Sequence, residues 1–287
     1  MIKKAAVNRD PYWDALKFTV IIFVVVLHVT GPYCYGNVFD LAFHNLIYLF
    51  INPLFVFISG RFSVIHDKKK YKKGILRLLE TFVVFQLIWM VLLTVAKGEF
   101  PLIEWFKPYW AMWYLLSLTF WRLTMLFWGR LINDKPLSFF ATSVCVSLAA
   151  GFIPLDNLFA FQKTFSFYPF FIAGYISRNC DLKYLLKKIP TWLAISIMFL
   201  FFVLSYMYAE RTGRKIAWEV ALSYDTYRIC HLVMRSVYYL SSICVCIAVM
   251  CLFNKMRNKE RLSVLGGSTI YIYISYIYRL CRFSVNR

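Results

Sequence analysis

His28 stands inside the apolar run 15–31, which is long enough to cross a bilayer as a helix. An ionisable side chain at that depth costs a few kcal/mol or more, which makes it a functional candidate by default. An imidazole takes and returns a proton near neutral pH, so the chemistry on offer is general acid–base or nucleophilic transfer. Asp14 and Lys17 precede it on the same run. Lys17 and His28 lie eleven residues apart, which at about 100° per residue returns them to within roughly 20° of one face, about 16 Å apart along the axis. One reading makes His28 a proton acceptor facing an internal cavity, with Lys17 near its cytoplasmic mouth. The other satisfies His28 on a neighbouring helix and lets Lys17 snorkel to the headgroups.

Three further groups carry charge or polarity in apolar surroundings. Arg228, His231 and Arg235 are spaced by three and four residues, which places them on one face of a helix. They either line the outer half of a cavity as substrate contacts or pair structurally with carboxylate, carbonyl or water. The loop 66–77, with Lys68, Lys69, Lys70, Lys72, Lys73 and Arg77, is the densest basic cluster. It suits a polyanionic cytosolic donor such as a coenzyme A phosphate, or else topology control and anionic lipid. Arg77 already belongs to the next apolar run, and Glu80 three residues on is a candidate partner. The segment 110–122 holds Trp110, Trp113 and Arg122, aromatics that anchor at a membrane interface or stack on sugar rings. Asn52 and Ser59, with Arg228 and His231, are the candidate donors to a developing oxyanion.

These residues need helices to position them. Nine apolar runs read as spans: 13–33, 43–65, 75–96, 109–128, 137–153, 165–178, 190–209, 226–253 and 262–281. The sixth is short and the eighth long enough to tilt. With the N-terminus inside, the basic clusters at Lys3, Lys4 and Arg9, at Lys68–Lys73, at Arg130 and Lys135, at Arg178–Lys188 and at Lys255–Arg261 all fall on the cytoplasmic side. Pro53 and Gly60 interrupt the second run and Pro169 and Gly174 the sixth, breaks that neighbouring helices or a cavity can satisfy. The expected fold is an all-α, polytopic membrane helix bundle, a single membrane-embedded domain over residues 1–287.

Composition excludes the soluble classes. The chain has 287 residues, 61% hydrophobic and 20% aromatic, and a formal net charge of +19. Its mean hydropathy is +0.60. A soluble domain is only about 45–50% apolar even with Gly counted. The positive charge sits in short clusters between apolar runs, which argues for lipid contact and against nucleic acid. The N-terminal basic residues resemble a signal peptide, but no small-x-small site follows, so the first run reads as an uncleaved helix. The eight cysteines form no CxxC pair and read as small packing residues, Cys34 and Cys281 being the one pair placed for a disulfide. No zinc, Walker, nucleophile-elbow or dinucleotide motif is present, so no metal is expected.

The ordered motifs resemble a known family. The opening Arg9-Asp-Pro-Tyr-Trp-Asp14-Ala-Leu-Lys17, with His28 after a ten-residue gap, is similar to the start of membrane acyltransferase family 3. Pro53-Leu-Phe-Val-Phe-Ile-Ser-Gly60, the segment from Trp110 to Arg122, Phe167-Tyr-Pro-Phe-Phe-Ile-Ala-Gly174-Tyr and Gly266-Gly-Ser-Thr-Ile-Tyr-Ile-Tyr273 resemble later blocks of its fucose 4-O-acetylase-like branch. The resemblance covers nearly the whole chain. It implies a multi-pass protein of the plasma (inner) membrane that transfers an acyl group, typically acetyl, from cytosolic acetyl-CoA to a hydroxyl of a cell-surface or exported glycan. Acetyl-CoA would be a donor substrate, not a permanently bound cofactor, and the partners would be lipids and a glycan or lipid-linked sugar. By the same resemblance His28 is the essential histidine, Lys17 the basic residue ahead of it, and Lys73 and Arg77 basic residues near the donor.

The chain departs from the branch at Ile51-Asn52-Pro53, where His-Met-Pro is common, and at Tyr276, where a His is common. It also ends after nine spans where family members commonly carry a tenth. Two alternatives to the enzyme therefore stand: an exporter of a glycan or lipid-linked sugar, and an inactive truncated copy.

Overall fold

A computed structural model describes residues 10–98, 106–108, 112–155, 158–217, 220, 222–224, 228–256 and 262–263. The described residues are 86% helical and contain no strands. The α-helices are α1 (Pro11–Thr30), α2 (Val38–Arg61), α3 (Lys68–Lys97), α4 (Met112–Asp134), α5 (Pro136–Ala150), α6 (Phe161–Ile176), α7 (Leu182–Lys188), α8 (Thr191–Thr212) and α9 (Arg228–Lys255). Eight of the nine expected spans thus coincide with a helix. The ninth, 262–281, lies outside the described residues but for its first two, as do Lys3, Lys4, Arg9, Trp110, Tyr276 and Cys281. The all-α membrane bundle is the observed class, and α1, α2, α3, α8 and α9 are long and apolar enough to cross a membrane.

The helix ends follow from local chemistry. Asp10 caps α1, its Oδ1 accepting from the Tyr12 amide at 3.1 Å, and Pro11 occupies the first helical position. Pro32 cannot continue the ladder, so α1 stops at Thr30, three residues short of the expected limit. Asp67 caps α3 by accepting from the amides of Lys69 and Lys70 at 2.8 and 3.2 Å. Consequently the basic segment expected as a loop is instead the first turns of α3. Gly98 and Gly213 close α3 and α8 with φ of 72° and 61°, the left-handed conformation glycine tolerates best. At about 1.5 Å per residue the 15-residue α5 and the 16-residue α6 are about 23–24 Å long, shorter than a bilayer core of about 30 Å. Pro53 and Pro169 sit within continuous α2 and α6 rather than breaking them.

The chain divides into two compact units. The first takes its described residues from Met1–Phe55, Asp181–Lys215 and Ser241–Arg287. There the Tyr12 hydroxyl donates to the Met250 carbonyl at 3.1 Å, and the Tyr12 ring packs edge-on against Phe253. Asp10 Oδ2 accepts from Lys183 Nζ at 2.6 Å, and Asn254 donates to the Lys183 carbonyl at 3.0 Å. Phe23 meets Phe50 edge-on, and Cys34, Leu41, Ala42 and Ala209 form a small core beside Phe202. The second unit takes Val56–Cys180 and Ile216–Leu240. Its centre is Trp121, fully buried, whose indole N–H donates to the Thr164 carbonyl at 2.9 Å and whose ring packs on Phe171. Ser117 and Thr164 hydroxyls meet at 2.6 Å, joining α4 to α6 again.

Candidate functional site

The first unit carries His28. Lys17, Asp14 and His28 are each half-buried on α1, as a shared face requires. His28 lies in the last turn, two residues from the end at Thr30, so it stands near one end of the segment rather than deep within it. The reason is again the early stop at Gly31-Pro32. At Gly31 the backbone amide donates to the Leu27 carbonyl at 2.8 Å, and a Cβ there would lie 2.7 Å from that oxygen. The Gly31 carbonyl accepts from Lys215 Nζ at 2.8 Å, and the same ammonium lies 4.6 Å from the Tyr35 ring centroid. His44 on α2 is 7% exposed, and its Nε2 comes within 3.7 Å of the position a Gly31 Cβ would take. His28 and Lys215 both lie within electrostatic reach of His44. Asn45, fully buried next to it, donates to the Arg214 carbonyl at 3.2 Å. Asn52 is half-buried two turns on and hydrogen-bonds the Tyr48 side chain.

The second unit carries the basic turns of α3. Lys73 and Arg77, four residues apart, share a face and are exposed. No Arg77–Glu80 ion pair is seen among the described residues, and both residues are exposed. Gly74, next to Lys73, leaves room for Arg122 from α4, whose Nη1 is 3.8 Å from where a Gly74 Cβ would be. The Arg122 guanidinium also stands 6.0 Å from the Tyr71 ring centroid, and its buried Nε has no hydrogen-bond partner among the described residues. Ser59 and Tyr114 share a hydrogen bond of 2.5 Å, and Ser63 donates to the Ser59 carbonyl at 2.7 Å. Trp113 is half-buried against Phe167, with Lys163 Nζ 5.8 Å from its ring centroid.

The stripe on α9 resolves into two environments. Arg235 is fully buried. It donates to the carbonyls of Leu222 at 2.7 Å and Ser147 at 3.4 Å and to Gln162 Oε1 at 3.4 Å, and lies 4.7 Å from the Tyr224 ring centroid. His231 is half-buried and stacks on the same Tyr224 ring, with centroids 6.4 Å apart and planes at 18°. Tyr224 donates to the Leu148 carbonyl at 3.0 Å and sits where a Cβ on Gly151 would overlap its ring. Tyr239 and Ser147 hydroxyls are hydrogen-bonded in the same buried network. Arg228 begins α9, and its side chain lies outside the described residues.

Three groups therefore emerge. Lys17, His28 and Asn52 belong to the first unit; Lys73, Arg77, Ser59 and Trp113 belong to the second, and so do Arg228, His231 and Arg235. The residues that complete each group were not expected from sequence. His44 did have a signal, an imidazole in an apolar run like that of His28. Lys215 and Tyr224 come from the connection between α8 and α9, where no periodicity marks a packed residue. Among the described residues no group of three His, Cys, Asp or Glu could hold a metal ion. Cys34 is a free, buried thiol.

No curated protein and no solved structure matches the chain. The acyltransferase domain, by contrast, matches residues 10–283, a stretch that runs from the cap of α1 past the end of α9 and takes in every candidate site residue named above. The apolar helices make the chain a multi-pass membrane protein, and with that match over nearly its full length it belongs to acyltransferase family 3.

Proposed function

We propose that this acyltransferase moves an acetyl group from cytosolic acetyl-CoA to a hydroxyl of a cell-surface or exported glycan, in the manner of the fucose 4-O-acetylase-like branch. The observation that carries the reading is His28, an imidazole on the apolar first helix of a chain that belongs to an acyltransferase family. The plasma membrane, with the N-terminus cytoplasmic, is the setting that fits its basic clusters.

The proposed chemistry uses a few groups. Lys73 and Arg77, exposed on the first turns of α3, attract the donor phosphates, Arg through paired N–H groups and Lys as a point charge. His28 takes the proton of the acceptor hydroxyl as its oxygen attacks the thioester carbonyl. The C–S bond then breaks, and the departing thiolate recovers the proton from His28. The oxyanion formed in between needs a fixed donor, and Asn52, in the same unit as His28, is the one proposed for it.

Replacement of His28 by Ala tests the reading. With membranes, labelled acetyl-CoA and their own glycan, the variant should lose transfer by more than about 100-fold while inserting normally. Mass spectrometry of surface polysaccharide from a deletion strain should show one acetyl mass missing per modified sugar. Full transfer by the His28 variant, or glycan export lost without any change in acetylation, overturns the proposal and leaves the exporter.

A further inference from the structure

The chain holds a second histidine whose chemistry the reaction above does not use. His44 is more than nine-tenths buried, and its Nδ1 makes no hydrogen bond among the described residues. A buried polar atom left without a partner costs about 1–3 kcal/mol, and native structures tolerate few of them without a reason. A hydrophobic residue of similar shape would fill the same space at no such cost.

Its other nitrogen faces charged and polar groups. Nε2 of His44 and Nζ of Lys215 converge on Gly31, each within 3.7 Å of the point where a Cβ would stand, so glycine keeps that space clear of a side chain. Lys215 uses one N–H on the Gly31 carbonyl. An ammonium has three donors, and in a half-buried position the others remain for oxygen ligands. His28 belongs to the turn immediately before Gly31 and acts electrostatically on His44. The titratable and charged groups around His44 are therefore His28 from α1, Lys215 from the segment after α8, Tyr35 beneath that ammonium, and Asp40 and Tyr48 one turn to either side on α2. All belong to the first unit.

We infer that His44 is a substrate-binding residue for the acceptor, its Nε2, the nitrogen that faces Gly31, hydrogen-bonding a sugar hydroxyl at the His28 centre with Lys215 beside it. The inference rests on the assignment of His28 as the base. The ligand class is a polyhydroxylated acceptor, because an imidazole nitrogen and an ammonium together match hydroxyl oxygens, which both donate and accept. The contact at Nε2 is then the reason a histidine, with its unpartnered Nδ1, stands there in place of an apolar residue. It also holds the acceptor while the proton passes to His28, so His44 itself gains and loses nothing in the reaction.

The test uses full-length protein in native membranes, with labelled acetyl-CoA as donor and the membranes' own glycan as acceptor. His44→Phe fills the space without a nitrogen. It should lower transfer at least tenfold and leave the KM for acetyl-CoA unchanged. His44→Gln, which retains an amide donor and acceptor, should recover part of that loss. Added imidazole should likewise restore the His44→Ala variant. A merely structural histidine predicts neither recovery. Transfer by His44→Phe within twofold of the unsubstituted protein overturns the inference. So does a loss that neither Gln nor imidazole relieves, or absence of all three variants from the membrane, which would make His44 a packing residue. Failure of the underlying assignment is distinguishable: it shows as full transfer by His28→Ala, whatever the His44 variants do.

Discussion

Gly60 on α2 and Gly174 on α6 make a reciprocal crossing in which each helix lays its glycine on the other's backbone. A Cβ on Gly60 would overlap the Phe171 carbonyl, and a Cβ on Gly174 would overlap the Phe57 carbonyl. Close approach of this kind is how helices associate in lipid, where apolar side chains gain nothing by leaving their surroundings. Dispersion and backbone contact must hold the pair, and only hydrogen at Cα permits them.

Alanine at either glycine should therefore force α2 and α6 apart. Because the obstructing atoms are backbone, no rotamer change relieves the overlap, and the expected destabilisation is about 1–3 kcal/mol or more. Thermal unfolding of purified Gly60→Ala and Gly174→Ala proteins in detergent checks it. An unchanged midpoint in both would show that the helices do not cross at these residues.

Arg235 gives a prediction of larger size. Its guanidinium satisfies two carbonyls and the Gln162 amide oxygen in a site closed to solvent. Replacement by Ala removes several charge-assisted hydrogen bonds, each worth about 1.5–3 kcal/mol, and leaves their acceptors buried. The Arg235→Ala protein should accumulate in membranes at a small fraction of the normal level. Arg235→Lys should recover little, since one ammonium cannot reproduce the planar fork. Immunoblots of membrane fractions distinguish this from a substrate contact, whose loss would spare the protein level and lower transfer.

Lys73 and Arg77 should behave in the opposite way. Both are exposed on α3, so neutral replacement disturbs no packing. The Lys73→Gln/Arg77→Gln double variant should keep its thermal midpoint and raise the KM for acetyl-CoA about tenfold or more. A donor analogue lacking the nucleotide 3′-phosphate should lose affinity for the unsubstituted protein and little for the variant. Equal KM values in the two proteins would remove the donor role from these residues.

Asp10 joins two functions in one carboxylate. It caps α1 through Oδ1 and binds Lys183 through Oδ2 at 2.6 Å. Loss of the cap alone is worth about 1 kcal/mol, and a half-exposed ion pair adds a few tenths. Asp10→Asn, which keeps a capping oxygen, should be milder than Asp10→Ala, and Lys183→Met milder still. The order of the three thermal midpoints tests how the two contributions divide.

The sequence by itself determined the class of this protein and most of its helices. Apolar run length is a local quantity, so α1 to α6, α8 and α9 are legible without knowledge of what they touch. The family is legible for a similar reason: motifs from Asp10 to Gly174 occur in order along the chain. Cap chemistry at Asp67 was equally local, yet the lysines after it made a helical start of α3 look like a loop. Only the tertiary structure decided the meaning of Gly60 and Gly174, because a helix crossing depends on residues more than a hundred positions apart. It also decided that Arg235 binds carbonyls and an amide, that Tyr224 lies between His231 and Arg235, and that His44 is closed in beside Gly31 and Lys215. Periodicity tells which face of a helix is apolar, but which polar groups meet across that face is set by packing among several helices at once.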